Sequence, residues 1–269
     1  YGEMQVWDGS GTGQIHFSAA SVHAEVLGHI VENRVVQDAL LDRLHDCDLG
    51  LLANARLEQM RRSGDDWLLT LADGRTLRAP LVIAADGANS AVRRLTGTAT
   101  REWDYLHNAI VTSVRSSQPH QRTAWQRFTD HGPLAFLPLV RDGQEDWCSI
   151  VWSTTPSESE RLMALDDESF CRELERAFEG RLGSVISADP RLCVPLRQRH
   201  AKRYVAEGLA LMRLAEALLR VPDAETAIAL TADQLGRADF EGAADSSAMA
   251  TSPSDMARLS SAAIALSKK

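Results

Sequence analysis

Asp86, Gly87, Ser90 and Arg93 fall within one short stretch, Leu81-Val-Ile-Ala-Ala-Asp-Gly-Ala-Asn-Ser-Ala-Val-Arg93. An acid, a glycine, a hydroxyl and a base at this spacing come directly after an apolar run. Leu81 to Ala85 is continuously apolar and short, which predicts a strand covered on both faces, as in a parallel sheet. Asp86-Gly87 makes the tight turn, and Asn89 or Ser90 caps a helix that begins over Ala91 to Leu95. A strand, a glycine turn and a helix N-terminus form the junction where open α/β sheets bind ligands. On spacing alone, an ordinary strand-to-helix turn explains Asp86-Gly87 equally well. Arg93 and Arg94 read equally well as a solvated helix face.

Other chemistry lacks local support. There is no G-x-S-x-G elbow, no H-E-x-x-H and no C-x-x-C. The four cysteines (Cys47, Cys148, Cys171, Cys193) are widely spaced and read as free thiols in a reducing cytoplasm. Glycines between Asp8 and Gly13 suggest a phosphate loop, but no helix follows Gly13, so a hairpin turn is the better reading.

The remaining elements must position the Asp86 stretch. Residues 4–7 and 14–18 alternate as a β-hairpin. Val31, Val35, Val36, Ala39, Leu40 and Leu44 form a helical stripe, predicting a helix from Asn33 to Leu44 with Asn33 or Glu32 near its start. Residues 55–79 read as a β-meander turning at Asp73-Gly74 and near Ser63-Gly64-Asp65. Strands at Ala109–Val114, Ala124–Phe128, Leu134–Leu139 and Trp147–Trp152 predict a mostly antiparallel sheet. A helix spans 166–179, with Asp166 to Glu168 at its start and Gly180 as its stop. A short strand is predicted near Leu192–Leu196. Leu211, Leu214, Ala215, Leu218 and Leu219 have helical spacing that ends at Pro222. From about Gly236 the Ala- and Ser-rich composition predicts a weakly ordered tail.

The chain has 269 residues, a net charge of −8 and 44% apolar residues. That excludes coiled-coil arrays and disorder over most of the chain. The acidic balance argues against a general nucleic-acid binder. No apolar run reaches the ~20 residues of a membrane helix, and no basic–apolar signal opens the chain. It begins at Tyr1 rather than Met, and a segment ahead of it is expected.

The Asp-Gly-x-x-Ser-x-x-Arg motif at the end of an apolar strand resembles the second flavin motif of FAD-dependent aromatic-ring hydroxylases of the p-hydroxybenzoate hydroxylase type. Gly28-His-Ile-Val-Glu-Asn-Arg-Val-Val, Trp103-Asp-Tyr-Leu-His-Asn-Ala, Leu134-Ala-Phe-Leu-Pro-Leu139 and Cys148-Ser-Ile-Val-Trp-Ser153 narrow the resemblance to ubiquinone-biosynthesis hydroxylases. It covers residues 1 to about 212.

The resemblance implies an α/β (α+β) fold, a truncated FAD-binding domain with an interleaved, mostly antiparallel substrate sheet. Residues 25–100 and 201–212 would belong to the FAD domain. Residues 1–24 and 101–200 would form the substrate domain, and 213–269 a divergent tail. It also implies that reduced flavin captures dioxygen and that the hydroperoxide hydroxylates an activated phenol, with NAD(P)H as reductant.

Asp86 would accept bonds from cofactor hydroxyls or orient neighbouring backbone. Gly87 would allow close approach where a side chain would clash. Ser90 and the helix N-terminus would serve phosphate oxygens, Arg93 would add charge, and Glu32 would face the flavin. No catalytic residue is implied. Trp103, Tyr105 and His107 read as packing or junction residues. Phe136 and Leu137 read as core, with a substrate-facing role as the alternative. The expected partners are a prenylated phenol and a ubiquinone-biosynthesis complex, with no nucleic acid. The expected location is the cytoplasm, peripheral to the inner membrane.

Two family motifs are missing from this sequence. The Gly-x-Gly-x-x-Gly turn does not occur, and Arg213-Leu-Ala-Glu216 stands where Gly-Asp-Ala-Ala-His is expected after Leu209-Ala-Leu-Met212. The abrupt change suggests a frameshift, a fusion joint or a misassembled sequence. Three readings are open: part of a hydroxylase, a non-catalytic remnant that does not hold FAD, and a quinone-precursor binding or assembly module. Flavin absorbance of the purified protein separates the first reading from the other two, and the chain as given is expected neither to bind FAD tightly nor to hydroxylate a substrate.

Overall fold

The computed structural model describes residues 1–47 and 50–212. The helical spacing read over Leu214 to Leu219 and the Ala- and Ser-rich tail lie outside the described residues. The described residues divide into two compact units, Tyr1–Glu32 with Trp103–Gln198, and 33–102 with 199–212.

In chain order the elements are β1 (Glu3–Asp8), β2 (Gln14–Ser18), a 3-10 turn (Ala20–Val22), α1 (Asn33–His45), β3 (Leu57–Ser63), β4 (Asp66–Leu71), β5 (Thr76–Ala79), β6 (Val82–Ala84), α2 (Ala91–Leu95) and β7 (Thr100–Ser116). They continue with β8 (Thr123–Thr129), β9 (Gly132–Arg141), β10 (Gln144–Thr154), α3 (Pro156–Met163), α4 (Asp167–Ala177), β11 (Val185–Ala188), β12 (Leu192–Ala201), β13 (Val205–Ala206) and β14 (Leu209–Leu211).

The first unit is built on one sheet in the order β11-β7-β10-β9-β8-β1-β2, with β12 also paired to β7. The hairpin of β1 and β2 forms as the alternation predicts. Its loop closes through Asp8 N–H to the Gly13 carbonyl (2.9 Å) and Ser10 N–H to Asp8 Oδ1 (3.0 Å). β1 also runs parallel to β8, a pairing no local pattern announces. Along the rest of that order, from β11 through β7, β10 and β9 to β8, neighbours run antiparallel.

One face of the sheet buries Trp7, Ile110, Trp125, Phe136, Ile150 and Trp152 with Phe170, Leu174 and Phe178. The last three come from α4 and its C-terminal end, because an amphipathic helix must bury its apolar stripe. Phe136 and Phe178 stack with ring centroids 3.7 Å apart. Phe136 is therefore core, and Leu137, its neighbour on the strand, is also buried.

Asp166 caps α4 by accepting from Ser169 N–H at 2.7 Å, and Gly180, at φ +61°, lies just past its end. The preceding helix, α3, was not expected; Thr155 caps it and Pro156 opens it. All four cysteines are free. Burial pushes the Cys148 thiol up to about 12, so it stays protonated at neutral pH.

His120 is 1% exposed. Its Nδ1 accepts from Arg122 N–H (3.0 Å), which makes Nε2 the donor to the Leu139 carbonyl (3.0 Å). Burial lowers its pKa, against the pull of Leu139 and two carboxylates. The unfolded chain therefore takes up a proton near pH 6.5 that the folded chain refuses. Stability is full above that pH and falls as pH drops toward the folded value, by up to about 1.4 kcal/mol per unit. Urea midpoints at pH 7.5 and 5.5 should fall further apart for the wild type than for His120→Gln. Equal differences would remove His120 from the account.

In the second unit, β3, β4 and β5 form the expected meander. β6 lies parallel to β14, which pairs antiparallel with β13. Ala84, Val92 and Leu209 form a small core flanked by Leu57, Met60, Trp67, Val82 and Leu211. Cover on both faces of β6 was expected; among the described residues α2 packs over the Ala84 side, and Ile83 on the other is 47% exposed. α1 has no buried residue. No helix among the described residues is long and apolar enough to cross a membrane.

Candidate functional site

β6 ends at Ala84, and Asp86 begins the turn that leads into α2. Ser90 is the cap rather than Asn89: its buried hydroxyl oxygen accepts from Arg93 N–H at 3.0 Å. Asp86 Oδ2 accepts from Val92 N–H at 3.1 Å. Burial pushes the Asp86 carboxyl up, but bonds from the Ser90 hydroxyl and the Val92 and Ala91 N–H groups outweigh it and hold it below the usual carboxylate range. In this geometry Asp86 orients the neighbouring backbone, and three N–H groups of α2, those of Ala91, Val92 and Arg93, are already taken.

The turn's carbonyls are held as well. Arg93 Nη1 donates to the Gly87 carbonyl at 3.0 Å, and its Nη2 donates to the Ala88 carbonyl. Arg199, on β12, donates to the same Ala88 carbonyl and to Asn89 Oδ1 (3.2 Å), while its Nη2 bonds Glu102 Oε2 at 3.0 Å. Hydrogen bonds from Arg199 and Thr100 keep the Glu102 carboxyl low. Among the described residues, the N–H groups of Gly87, Ala88 and Asn89 have no partner.

Gly87 has φ +75°, a conformation natural to glycine. A Cβ there would meet nothing within 4 Å, so the backbone conformation requires glycine and no protein atom crowds it. The donor set suits a ligand that brings anionic or carbonyl oxygens to the turn.

Asp86, Gly87, Ser90 and Arg93 thus come together in the second unit. Glu32 belongs to the first, immediately before α1. Its Oε1 accepts from Arg141 Nη2 at 2.5 Å; Arg141 also bonds Asp189 Oδ2 (3.1 Å) and lies 4.1 Å from the Trp147 ring centroid. Trp103 and Tyr105 are 41% and 53% exposed, so they are not core packing residues; the junction half of their reading is untouched by that exposure. Tyr105 bonds Gln198, and His107 Nδ1 lies 3.0 Å from the Tyr105 carbonyl.

Sequence reasoning missed Arg199, Glu102 and Arg141. Arg199 lies 111 positions from the carbonyl it holds. Only the alternation of β12, which separates its side chains onto two faces, could have singled it out.

Residues 36–212 match a family model described as FAD binding domain. Residues 203–269 match one described as DNA-binding domain of proline dehydrogenase. The expectation of no nucleic-acid partner rested on whole-chain charge and did not foresee that second likeness.

The 3-demethoxyubiquinol 3-hydroxylase of Escherichia coli (strain K12) is 35% identical over 213 residues, covering 79% of this chain and 53% of the relative. The ubiquinone hydroxylase UbiL of Rhodospirillum rubrum is 37% identical over 211 residues, 78% of this chain and 48% of its own. The chain therefore spans about half the length of these relatives.

Among solved structures, Pseudomonas aeruginosa PqsL in complex with 2-aminobenzoylacetate has a TM-score of 0.62 at 22% identity, covering 88% of this chain and 73% of that one. The p-nitrophenol 4-monooxygenase PnpA of Pseudomonas putida DLL-E4 has a TM-score of 0.60 at 16% identity, covering 78% and 54%. These two similarities speak to the fold alone.

Proposed function

Because the chain belongs to the FAD-binding-domain family over residues 36–212, we propose that it is the central part of a flavin-dependent monooxygenase that hydroxylates a prenylated phenol, a ubiquinone precursor. The observation that carries the reading is the 35% identity over 213 residues to a 3-demethoxyubiquinol 3-hydroxylase. The first unit is the substrate domain, and the second contributes part of the FAD domain.

FAD, when bound, supplies the redox and oxygen-transfer chemistry. The free N–H groups of Gly87, Ala88 and Asn89 would donate to its oxygens. The Asp86 carboxylate fixes the turn and keeps acceptor capacity for a hydroxyl. Ser90 holds the helix start, and Arg93 holds the turn's carbonyls; in the first unit Arg141 pairs with the carboxylate of Glu32. The Ala91, Val92 and Arg93 N–H groups are spent, so the first turn of α2 leaves these three donors unavailable to the diphosphate. NAD(P)H is the reductant. The partners are the prenylated phenol and a ubiquinone-biosynthesis complex, met in the cytoplasm at the inner-membrane surface.

A direct test splices residues 1–212 between the flanking segments of the Escherichia coli relative. The product should be yellow and should add one oxygen atom from dioxygen to a demethoxyubiquinol. A yellow protein that oxidises NAD(P)H without hydroxylating any prenylated phenol would defeat the substrate assignment.

A second reading concerns residues 203–269 alone. Their likeness to a DNA-binding domain favours a nucleic-acid contact by that segment, joined to a flavin-family sequence. A salt-sensitive gel shift of duplex DNA by the full chain would support it, and no shift at low salt would exclude it.

A further inference from the structure

The Gly87–Asn89 turn is held from two directions. Arg93 reaches back from α2, and Arg199 reaches in from β12. A carbonyl oxygen has two lone pairs, and the Ala88 carbonyl accepts from both guanidinium groups. With the Gly87 and Ala88 carbonyls held, the partnerless polar backbone groups of the turn, among the described residues, include its three N–H donors.

A released carbonyl would set its negative end against an incoming anionic or carbonyl oxygen. A bound carbonyl has that charge offset and its peptide plane fixed, which also fixes the direction of the neighbouring N–H groups. Of the two cations, Arg199 is the better fixed. Its side chain is 27% exposed, it stands on a strand, and Glu102 holds its far side at 3.0 Å. A planar fork suits this task, bonding a carbonyl, an amide oxygen and a carboxylate together; a lysine ammonium concentrates its charge at one point.

We propose that Arg199 is a positioning residue for the cofactor turn. By binding the Ala88 carbonyl and the Asn89 side chain, it presents the Gly87–Asn89 N–H groups to an oxygen-bearing ligand. The proposal rests on the flavin reading above and names the residue that organises that part of the site.

The test uses the full chain with Arg199→Gln, Arg199→Lys and, as a control for lost charge, Arg203→Gln. Amide hydrogen exchange is followed at Ser90, Val92 and Arg93, beside the thermal midpoint and FAD affinity by fluorescence titration. Arg199→Gln should speed exchange at these amides in the full chain and weaken FAD binding by the spliced protein that carries the same change, each about tenfold. Arg199→Lys should recover the thermal midpoint but neither of the other two, and Arg203→Gln should resemble the wild type.

Wild-type exchange in Arg199→Gln, or full recovery of all three readouts in Arg199→Lys, would overturn the proposal. Absence of FAD binding by the spliced protein in every form, wild type included, counts against the flavin reading; the exchange data still decide the role of Arg199.

Discussion

Phe136→Ala is expected to destabilise the first unit by about 3–5 kcal/mol, the range for emptying an aromatic site in a packed core. Phe136 is 1% exposed. It stacks on Phe178 at 3.7 Å, and its strand neighbours across the sheet are Trp125 and Ile150. Removing the ring takes away both the apolar transfer term and the contacts of residues that cannot collapse inward, because the strands on either side fix their backbones. Domains of this kind have about 5–15 kcal/mol in total, so the variant should be largely unfolded at 37 °C or close to it. Urea unfolding of the wild type, Phe136→Ala, Phe136→Leu and Val140→Ala separates the cases. Val140 lies on the same strand but is 65% exposed, and its change should stay within about 0.5 kcal/mol. A loss below about 1 kcal/mol in Phe136→Ala would mean that the β9 face is not the core described.

Asp86→Ala is the second large effect, and it separates two properties. The carboxylate accepts from Val92 N–H at 3.1 Å and is further bonded by Ser90 and Ala91. Losing such a cap costs about 0.5–2 kcal/mol of stability. In the spliced protein, flavin affinity should fall about ten- to a hundredfold, because a charged hydrogen-bonding group is lost and the turn loosens. The pH dependence has a definite sign. A folded pKa below the unfolded one gives stability that is present above about pH 4 and lost as pH falls through the lower folded value. The difference between Asp86→Asn and wild type should therefore shrink in strong acid. Unchanged flavin affinity in Asp86→Ala would leave Asp86 as a purely local cap.

Much of this architecture is legible in the residues, for local reasons. Asp8 to Gly13 forms a hairpin loop because no helix comes after it. Asp73-Gly74 closes the meander, Asp166 and Ser90 cap helices, and α1 starts at Asn33, as the stripe predicts. The features that escaped depend on contacts remote in sequence. The parallel pairing of β1 with β8 joins residues about 120 positions apart, and no periodicity encodes a partner at that distance. α3 is a single short helix with Leu162 as its one buried large apolar residue, too few for a periodic signal. The apolar run Leu81 to Ala85 correctly announced a parallel strand; among the described residues α2 packs over one of its faces, since apolarity reports what a strand can bury rather than what packs on it. At the site, the motif located Asp86, Gly87, Ser90 and Arg93 but not how they are connected. That Asp86 and Ser90 spend the helix N–H groups, and that Arg199 holds Ala88, are facts of side-chain geometry.

We propose that this chain carries, around Asp86, part of the flavin site of a hydroxylase and holds FAD well only with the flanking parts of that fold. The most direct measurement is one titration of FAD fluorescence against the full chain and against the spliced protein, side by side. The spliced protein should form a stoichiometric complex at micromolar affinity or tighter. The chain alone should bind at least a hundredfold more weakly, about 2.7 kcal/mol. Equal, stoichiometric micromolar binding by the chain alone would contradict the proposal, because residues 1–269 would then supply every donor the cofactor needs.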